Sequence, residues 1–336
     1  MIEQARQILS LGNDLTPAQM GAVMEEIMRG KSTTPQIIAF LKALSKKGET
    51  IEELTAAVTV MRLHSTKINI CKETVLDTCG TGGDLSGSFN ISTAAAFVAA
   101  GCGIYVAKHG NRSVSSRCGS ADILEALGVD IDMPPEKLEE CLEATGIAFL
   151  FAQALHPAMK YAMPARKVIG KKTIFNILGP LSNPAGATHQ LLGVYDKRWL
   201  KILVKVLRNL GTTHALVVHG ADGLDEITTS APTFIAEARK DKLKLYEIKP
   251  EDFNFKRSNP EELKGAGPAD NAKILLDIFN GKPGPKRDIV VLNAAAAIYA
   301  ADKAKSIQEA IPLAEASIDN KKALEKLLQL KAFSKK

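Results

Sequence analysis

The first 72 residues of the chain carry apolar side chains three and four positions apart, which is the spacing of amphipathic helices. Hydroxyl residues stand where such helices would begin, and each is followed by a proline or by a Gln or Glu that can complete a capping box. The pattern predicts a small all-helical domain over residues 1–72. The predicted helix starts are Thr16 with Pro17 and Gln19, Thr34 with Pro35, and Thr50 with Glu53.

Beyond Thr74, short apolar stretches alternate with helical ones, which is typical of a mostly parallel sheet with helices on both faces. Two later stretches, TFIAEAR and KLKLYEI, predict a hairpin of edge strands, and the C-terminal segments predict helices that cover the sheet. The predicted fold class is therefore α/β, with a small helical domain beside a larger domain built on this sheet. The predicted strands are TVLD, IYVAK, AFLFA, HQLLGVY and ALVVHG, and helices are predicted at STAAAFVAAG and at residues 136–145 and 198–210.

Composition is that of an ordinary globular protein, because 46% of the 336 residues are hydrophobic and can form a large core. The net charge of +6 comes from interspersed residues of both signs, and the lysine pairs are small and scattered, which disfavours nucleic-acid binding. Since no secretory signal and no apolar run of about 18 residues occur, we expect no membrane partner. The odd number of cysteines, 5, without metal-ligand spacing predicts reduced thiols and a cytoplasmic location.

A glycine-rich stretch, DTCGTGGD at residues 77–84, follows a predicted strand and precedes a predicted helix. In that geometry, backbone N–H groups and a helix N-terminus can receive an anion. A dinucleotide fingerprint fails because Leu85 stands where its last glycine belongs, and a Walker loop fails because Ser88 and Phe89 replace its lysine and hydroxyl residue. We therefore expect a phosphate ligand other than NAD or a P-loop nucleotide.

The start of the next helix carries Asn90, Ser92 and Thr93, whose polar groups can cap the helix, ligate Mg²⁺ or hold a phosphate. A second polar segment, KHGNRSVSS at residues 108–116, follows the neighbouring strand. In it, Lys108 and Arg112 can neutralise an oligophosphate, and its serines can hold phosphate oxygens. Two such segments at the ends of neighbouring strands predict a pocket.

A third segment, GLDE at residues 223–226, follows the strand ALVVHG and contains the adjacent carboxylates Asp225 and Glu226. Mg²⁺ prefers one or two carboxylates together with substrate phosphates, so this pair predicts a magnesium site beside the oligophosphate. We expect the nearby His219 to be structural.

These segments, together with the stretch from His156 to Gly186, resemble the anthranilate phosphoribosyltransferase family of tryptophan biosynthesis over essentially the whole chain. The KHGN and GSAD motifs are similar to pyrimidine nucleoside phosphorylases as well, so the stretch from Pro164 to Pro184, with Arg166 and NILGPLSNP, is the specific part. Ser88 stands where the family usually has threonine and keeps the hydroxyl.

The resemblance implies a homodimer formed through the helical domains and a cleft in which 5-phosphoribosyl 1-pyrophosphate (PRPP), anthranilate and Mg²⁺ meet. It assigns residues 1–72, joined by about 165–185, to the helical domain, and residues 73–164 and 186–336 to the α/β domain. Mg²⁺ would be bound by Ser92, Asp225 and Glu226, and anthranilate would face Gly80, His109, Asn111 and Arg166. PRPP would contact Gly80, Gly83, Asp84, Ser88, Asn90, Ile91, Ser92, Thr93, Lys108, His109, Gly110, Asn111, Arg112, Ser113, Val114, Ser115, Ser116 and Ser120.

The expected reaction transfers the phosphoribosyl group to the anthranilate amine and releases pyrophosphate. Its transition state resembles an oxocarbenium ion, so positioning and electrostatics would carry catalysis, with Lys108, Asn111 and Arg166 as catalytic residues. No side chain stands out as a general base. The alternatives are a pyrimidine nucleoside phosphorylase-like enzyme, which the GLDE and NILGPLSNP segments disfavour, and a non-catalytic relative that binds nucleic acid.

Overall fold

The structure is a computed structural model that describes residues 1–113 and 118–335. Its N-terminal part consists of the helices α1 (Ile2–Ser10), α2 (Pro17–Met28), α3 (Thr34–Lys47) and α4 (Ile51–Leu63). Helix α1 packs on α3 and α2 packs on α4, with buried apolar side chains between them. The helical pattern ends earlier than predicted, since residues 64–72 are not helical. There the Ser65 hydroxyl donates to the Arg62 carbonyl at 2.8 Å and helps to terminate α4.

The helix starts predicted at Thr16 and Thr50 are confirmed, because each residue forms a capping box. The start predicted at Thr34 is wrong by one residue. Thr33 is the N-cap, and its backbone N–H donates to Gln36 Oε1 at 2.9 Å, whereas Thr34 is the first helical residue. The capping box depends on a Gln or Glu three positions after the cap, and Gln36 meets that spacing only with Thr33.

The larger part of the chain is built on one sheet of seven strands. The strands are β1 (Val75–Gly80), β2 (Tyr105–Gly110), β3 (Ile147–Phe151), β4 (His189–Gly193), β5 (His214–Gly220), β6 (Thr233–Arg239) and β7 (Lys242–Ile248). Their order is β3-β2-β1-β4-β5-β6-β7, with β1 to β5 parallel and the β6–β7 hairpin antiparallel at one edge. The predicted mostly parallel sheet and its edge hairpin are confirmed.

Successive residues of a strand point to opposite sides of the sheet. Because buried apolar side chains occur on both sides, helices cover both faces. Leu191 and Leu216 enter one core with the helix after β1 and the C-terminal helices. Leu192 and Val217 enter a second core with the N-terminal helices and the helices directly before and after β4. The helices that follow β1 in the chain are α5 (Ile91–Gly101), α6 (Ser120–Ala126), α7 (Pro135–Thr145), α8 (Ala152–Leu155), α9 (Met163–Ile169), α10 (Ile174–Leu181), α11 (Trp199–Asn209), α12 (Pro268–Phe279), α13 (Pro285–Ala300), α14 (Ile307–Asp319) and α15 (Lys322–Ser334).

The strand order reverses between β1 and β4. From β1 the chain proceeds outward to β2 and β3, and from β4 it proceeds the other way to β5. In open α/β sheets such a reversal leaves a crevice at the carboxyl ends of the two strands, where ligands bind. The segment before β4 returns to the N-terminal helices, since α9 packs on α3 and α10 packs on α4. In the described part of the chain, no helix has the length and apolarity to cross a bilayer.

Candidate active site

The glycine stretch turns away from the sheet directly after β1. Gly82 and Gly83 have φ of +63° and +75°, the left-handed region that glycine adopts without strain. The Gly82 N–H donates to Asp225 Oδ2 at 2.7 Å. A Cβ on Gly80 would lie only 2.6 Å from the same oxygen, so the glycine lets the carboxylate approach the end of β1. The predicted PRPP loop and the predicted metal residue are therefore in direct contact.

The first turn of α5 meets the other carboxylate of the pair. The Ser92 N–H donates to Glu226 Oε1 at 3.1 Å, and the Ser92 carbonyl accepts from the Thr78 hydroxyl at 3.0 Å. Asn90 is the N-cap residue of this helix, and its Nδ2 donates to the Cys118 carbonyl at 3.1 Å. The start of α5 is thus fixed from β1 and from the turn after β5.

Two polar atoms at the start of α5 are buried without a hydrogen-bond partner among the described residues: Asn90 Oδ1 and Thr93 Oγ1. Buried polar atoms are paired in most folded proteins, so atoms left without a partner beside a crevice point to a ligand. Ile91, also predicted to contact PRPP, is buried as the first residue of α5 and can offer only its backbone.

Lys108 lies within β2 and not in a loop after it, because that strand continues to Gly110. Its ammonium is buried and donates to the Thr78 carbonyl at 2.6 Å, and Ser92 Oγ lies 3.4 Å away. Burial lowers the pKa of Lys108, and the nearby Asp77 carboxylate opposes that shift. Asp77 is itself buried, which raises its pKa to about 6, and its Oδ1 accepts the His109 N–H at 3.1 Å.

The turn after β5, called the acidic turn below, carries the carboxylates of Asp225 and Glu226, which a cation would stabilise. Burial raises the pKa of Asp225 to about 7, and the neighbouring Asp84 charge adds to the shift. Burial also raises the pKa of Glu226, as does the charge of Asp225 beside it. Asp84 Oδ2 is buried without a hydrogen-bond partner among the described residues. Crowded, desolvated carboxylates of this kind fit a divalent cation.

Within residues 1–113 and 118–335, no cluster of three or more His, Cys, Asp or Glu side chains is arranged to hold a metal by itself. The carboxylates after β5 can therefore supply only part of a coordination shell. Mg²⁺ commonly takes its remaining ligands from water and from substrate phosphates, so this donor set fits a metal that is shared with an oligophosphate.

His109 and His156 form a buried pair, with their Nε2 atoms 3.2 Å apart. Burial lowers the pKa of both imidazoles, that of His156 to about 4, so the pair is neutral at pH 7 and one ring donates to the other. Next to this pair, Asn111 Oδ1 accepts from Gln153 Nε2 at 3.2 Å, which holds the amide at the end of β2. The neutral imidazole pair and the Asn111 amide form a partly aromatic surface, which suits a planar organic ligand better than a phosphate.

Arg166 lies on the short helix α9 and is half-buried. Its guanidinium stands 5.7 Å from the Phe175 ring centroid and contacts Met163 Sδ at 3.7 Å. Burial lowers its pKa. Because no ion pair to Arg166 is found in the described parts of the chain, its N–H groups remain available to bind a carboxylate in a bidentate fashion.

Arg112 is predicted to neutralise phosphate, but in the structure its guanidinium is paired with carboxylates of the protein. Its guanidinium pairs with Asp122 at 3.3 Å and with Glu125 Oε1 at 2.8 Å, and these partners raise its pKa. The Ser113 N–H also donates to Asp122, at 3.0 Å. A role for Arg112 at phosphate would require exchange of these carboxylates. The predicted residues Val114, Ser115 and Ser116 lie outside the described residues.

The remaining predicted PRPP residues border the same region. Gly110 ends β2, and a Cβ there would lie 2.2 Å from Ser120 Oγ, so the two residues are in direct contact. Ser88 forms a β-bridge with Lys264, which closes the far side of the glycine loop. A cleft of 490 Å³ lies between this loop and residues 264–266, large enough for part of a phosphorylated ligand.

Three further residues join the site although the sequence alone gives them no role. Asp77 supports His109 from within β1, and His156 completes the imidazole pair. Lys172, which precedes α10, donates to the Gly83 carbonyl at 2.7 Å. For Asp77 the sequence does contain a signal, because a charged residue stands inside an apolar strand. The other two are brought to the site by the long connection between β3 and β4.

Comparison with known proteins gives matches over nearly the full length. The model of the "Glycosyl transferase family, a/b domain" matches residues 72–324, and that of its "helical bundle domain" matches residues 5–65. The chain is 51% identical over 334 residues to the anthranilate phosphoribosyltransferase of Syntrophobacter fumaroxidans, with 99% of each chain covered.

Two solved structures extend this likeness to three dimensions. The crystal structure of anthranilate phosphoribosyltransferase from Thermus thermophilus has a TM-score of 0.94 at 41% identity and covers 99% of each chain. The Saccharomyces cerevisiae enzyme in complex with PRPP and Mg has a TM-score of 0.91 at 25% identity, covering 99% of this chain and 98% of that one.

Proposed function

Because the chain belongs to the anthranilate phosphoribosyltransferase family, we propose that the site described above performs this family's reaction and assign its residues to the steps. The enzyme transfers the phosphoribosyl group of PRPP to the amine of anthranilate in tryptophan biosynthesis, giving N-(5-phosphoribosyl)anthranilate and pyrophosphate. It is a pentosyltransferase. The observation that supports our assignment is the meeting of the glycine loop, the start of α5, Lys108 and the acidic turn at the strand-order reversal.

PRPP is assigned to the crevice at the carboxyl ends of β1 and β4, with the end of β2 next to it. The backbone at Gly82 and Gly83 would let the pyrophosphate approach closely because no side chain intervenes. Thr93 Oγ1 could donate to a phosphate oxygen, and Asn90 Oδ1 could accept from a ribose hydroxyl of the ligand. Lys108 places a buried positive charge beside Ser92. A charge in such a water-excluded position stabilises developing negative charge more strongly than an exposed lysine would.

Mg²⁺ is assigned to Asp225 and Glu226, with Ser92 beside them and Asp84 close enough to raise the pKa of Asp225. When bound, the ion neutralises pyrophosphate oxygens and so makes pyrophosphate a better leaving group. The Gly82 and Ser92 N–H groups keep the two carboxylates aimed into the crevice. The relative from Saccharomyces cerevisiae was solved in complex with PRPP and Mg, which supports binding of the same two ligands here.

Anthranilate is assigned to Gly80, His109, Asn111 and Arg166. Arg166 would bind the carboxylate of anthranilate through two parallel hydrogen bonds, which orients the amine. The amine nitrogen forms a bond to ribose C1 while the bond from C1 to the pyrophosphate oxygen breaks and its electron pair leaves with pyrophosphate. The amine then loses one proton to a neighbouring oxygen or to water. The neutral imidazole pair offers the ring a surface without competing charge.

The domain division follows the packing. We assign residues 1–72, joined by about 165–185, to the helical domain, and residues 73–164 and 186–336 to the α/β domain. The packing of α9 on α3 and of α10 on α4 supports this division. We assign a homodimer through the helical domain, supported by the exposed apolar side chains of Leu11 and Val168, which are 79% and 70% exposed. The free thiol of exposed Cys71 fits a reducing, cytoplasmic compartment.

The assignment is tested by following the loss of anthranilate fluorescence with the purified protein, PRPP and Mg²⁺. We expect consumption that requires all three components and yields equimolar pyrophosphate. A parallel reaction with inorganic phosphate and a pyrimidine nucleoside should give no phosphorolysis. Folded protein that consumes nucleoside but no anthranilate would replace this assignment with that of a nucleoside phosphorylase.

A further inference from the structure

Lys172 connects the segment after α9 to the glycine loop. Its Nζ donates to the Gly83 carbonyl at 2.7 Å. A Cβ on Gly83 would lie 2.7 Å from Lys172 Cε, so the lysine stem fills the space that the glycine leaves open. Any larger residue at position 83 would displace the lysine, and the positive φ of Gly83 already disfavours one.

The other face of the ammonium is covered by an aromatic ring. Lys172 Nζ lies 3.1 Å from the centroid of the Tyr195 ring, within the range of a strong cation–π contact. Tyr195 is itself held to the loop after β1, because its N–H donates to Thr81 Oγ1 at 3.1 Å, and its hydroxyl accepts from Trp199 Nε1 at 3.3 Å. The ammonium is therefore clamped between the segments that follow β1 and β4.

The charges around Lys172 are mostly negative. Desolvation lowers its pKa, whereas Asp225, Asp84 and Asp196 oppose that shift, so these carboxylates are near enough to interact with the ammonium. None of them lies within ion-pair distance of Nζ in the described parts of the chain. The residue is nevertheless exposed to solvent. Since an ammonium has three N–H groups and the Gly83 carbonyl accepts one, spare donors remain beside the loop.

We propose that Lys172 is a positioning residue for PRPP: it holds the turn at Gly82 and Gly83 in the conformation that receives pyrophosphate and adds a positive charge next to it. The inference rests on the assignment of PRPP to the glycine loop under the proposed function.

The test compares Lys172→Met, Lys172→Gln and Lys172→Arg with the wild type, and uses Lys171→Met as the matched control on the neighbouring exposed lysine. Steady-state kinetics give kcat and the KM for each substrate. Loss of one charged hydrogen bond corresponds to about a tenfold or larger change, so we expect KM for PRPP to rise by about that factor in the Met and Gln variants. KM for anthranilate should stay within about twofold, and Arg should restore most of the loss because it can still donate to Gly83.

Hydrogen exchange of the backbone amides of residues 80–88 gives a readout that does not depend on turnover. Faster exchange in the ligand-free Lys172→Met variant than in wild type and Lys171→Met is expected, since the loop loses its clamp. Unchanged KM for PRPP and unchanged exchange in both neutral variants would overturn the proposal, as would an equal rise of KM for both substrates. A wild-type protein that does not use PRPP would overturn the assignment of the site under the proposed function. That outcome is distinct from the results that would overturn the role of Lys172.

Discussion

The carboxylate of Glu226 accepts the backbone N–H of Ser92 at 3.1 Å, although 134 positions separate the two residues in the chain. This hydrogen bond joins the turn after β5 to the first turn of α5. It also uses one oxygen of Glu226 and leaves the other available. The acidic pair is therefore positioned by backbone donors, which do not change on substitution of neighbouring side chains.

Replacement of Asp225 by Asn together with Glu226 by Gln should abolish Mg²⁺-dependent turnover while the fold is retained. The amide oxygens can still accept from the Gly82 and Ser92 N–H groups, whereas the charge that would bind the ion is lost. We expect kcat/KM to fall by at least about a hundredfold, as loss of a catalytic metal costs several kcal/mol. Activity is measured across a Mg²⁺ titration, and folding by circular dichroism.

The control for this pair is Asp241→Asn, an exposed carboxylate in the turn between β6 and β7. It should behave as the wild type at every Mg²⁺ concentration. Turnover that stays the same in the double variant across the titration would rule out the metal assignment.

Arg166→Ala should impair the use of anthranilate and leave the use of PRPP nearly intact. The guanidinium has no ion pair among the described residues, so its removal breaks few protein contacts but deprives the substrate carboxylate of its partner. We expect KM for anthranilate to rise by about tenfold or more, with KM for PRPP changed by less than about twofold. Initial rates are measured with each substrate varied in turn.

Lys167→Ala is the matched control, because that residue is the exposed neighbour of Arg166 on α9. It should leave both constants unchanged. An equal loss for both substrates in Arg166→Ala would remove the role assigned to the arginine.

Gly193→Ala should displace the acidic turn, because Gly193 lies against the backbone of Asp225. A Cβ at the end of β4 would lie 1.6 Å from the Asp225 carbonyl oxygen, so the turn after β5 has to move. Overpacking of this kind costs about 1–3 kcal/mol, and it also shifts Asp225 away from Gly82. We expect a lower Tm and a higher Mg²⁺ concentration for half-maximal activity.

Gly21→Ala is the control, since a Cβ there would meet its nearest neighbour, Val60, at an ordinary 3.9 Å. Alanine within α2 should leave activity unchanged and raise stability by about 0.5–1 kcal/mol. A Gly193→Ala variant with wild-type Tm and metal dependence would show that the turn tolerates the displacement.

The order of elements and the place of the ligand crevice could be predicted from the sequence because both depend on local patterns. Alternation of apolar strands with helices predicts a parallel sheet, and glycine and polar residues after a strand mark its carboxyl end. The pairing of Arg112 with Asp122 and Glu125 could not be predicted, since many lysines and arginines compete for each carboxylate. The same holds for Lys172, whose contact with Gly83 depends on where a long connection returns to the sheet.

Glu237 on β6 is expected to make a pH-dependent contribution to stability. Burial would raise its pKa, but the neighbouring side chains of His214, Tyr299 and Tyr246 outweigh burial and lower it from 4.5 to about 2. A depressed carboxyl pKa stabilises the fold above the unfolded value, and the contribution is lost as pH falls from about 4.5 through about 2.

Glu237→Gln should therefore lower the free energy of unfolding by about 2 kcal/mol at pH 7, with the difference from wild type shrinking as pH falls from about 4.5 towards 2. The 2.8 Å hydrogen bond from the Tyr299 hydroxyl can persist to the amide oxygen, so the lost part is the charge. Urea unfolding at a series of pH values measures this difference. Glu247→Gln, on an exposed glutamate of β7, should match the wild type throughout. A Glu237→Gln deficit that is independent of pH would mean that the contribution of Glu237 comes from packing and not from its charge.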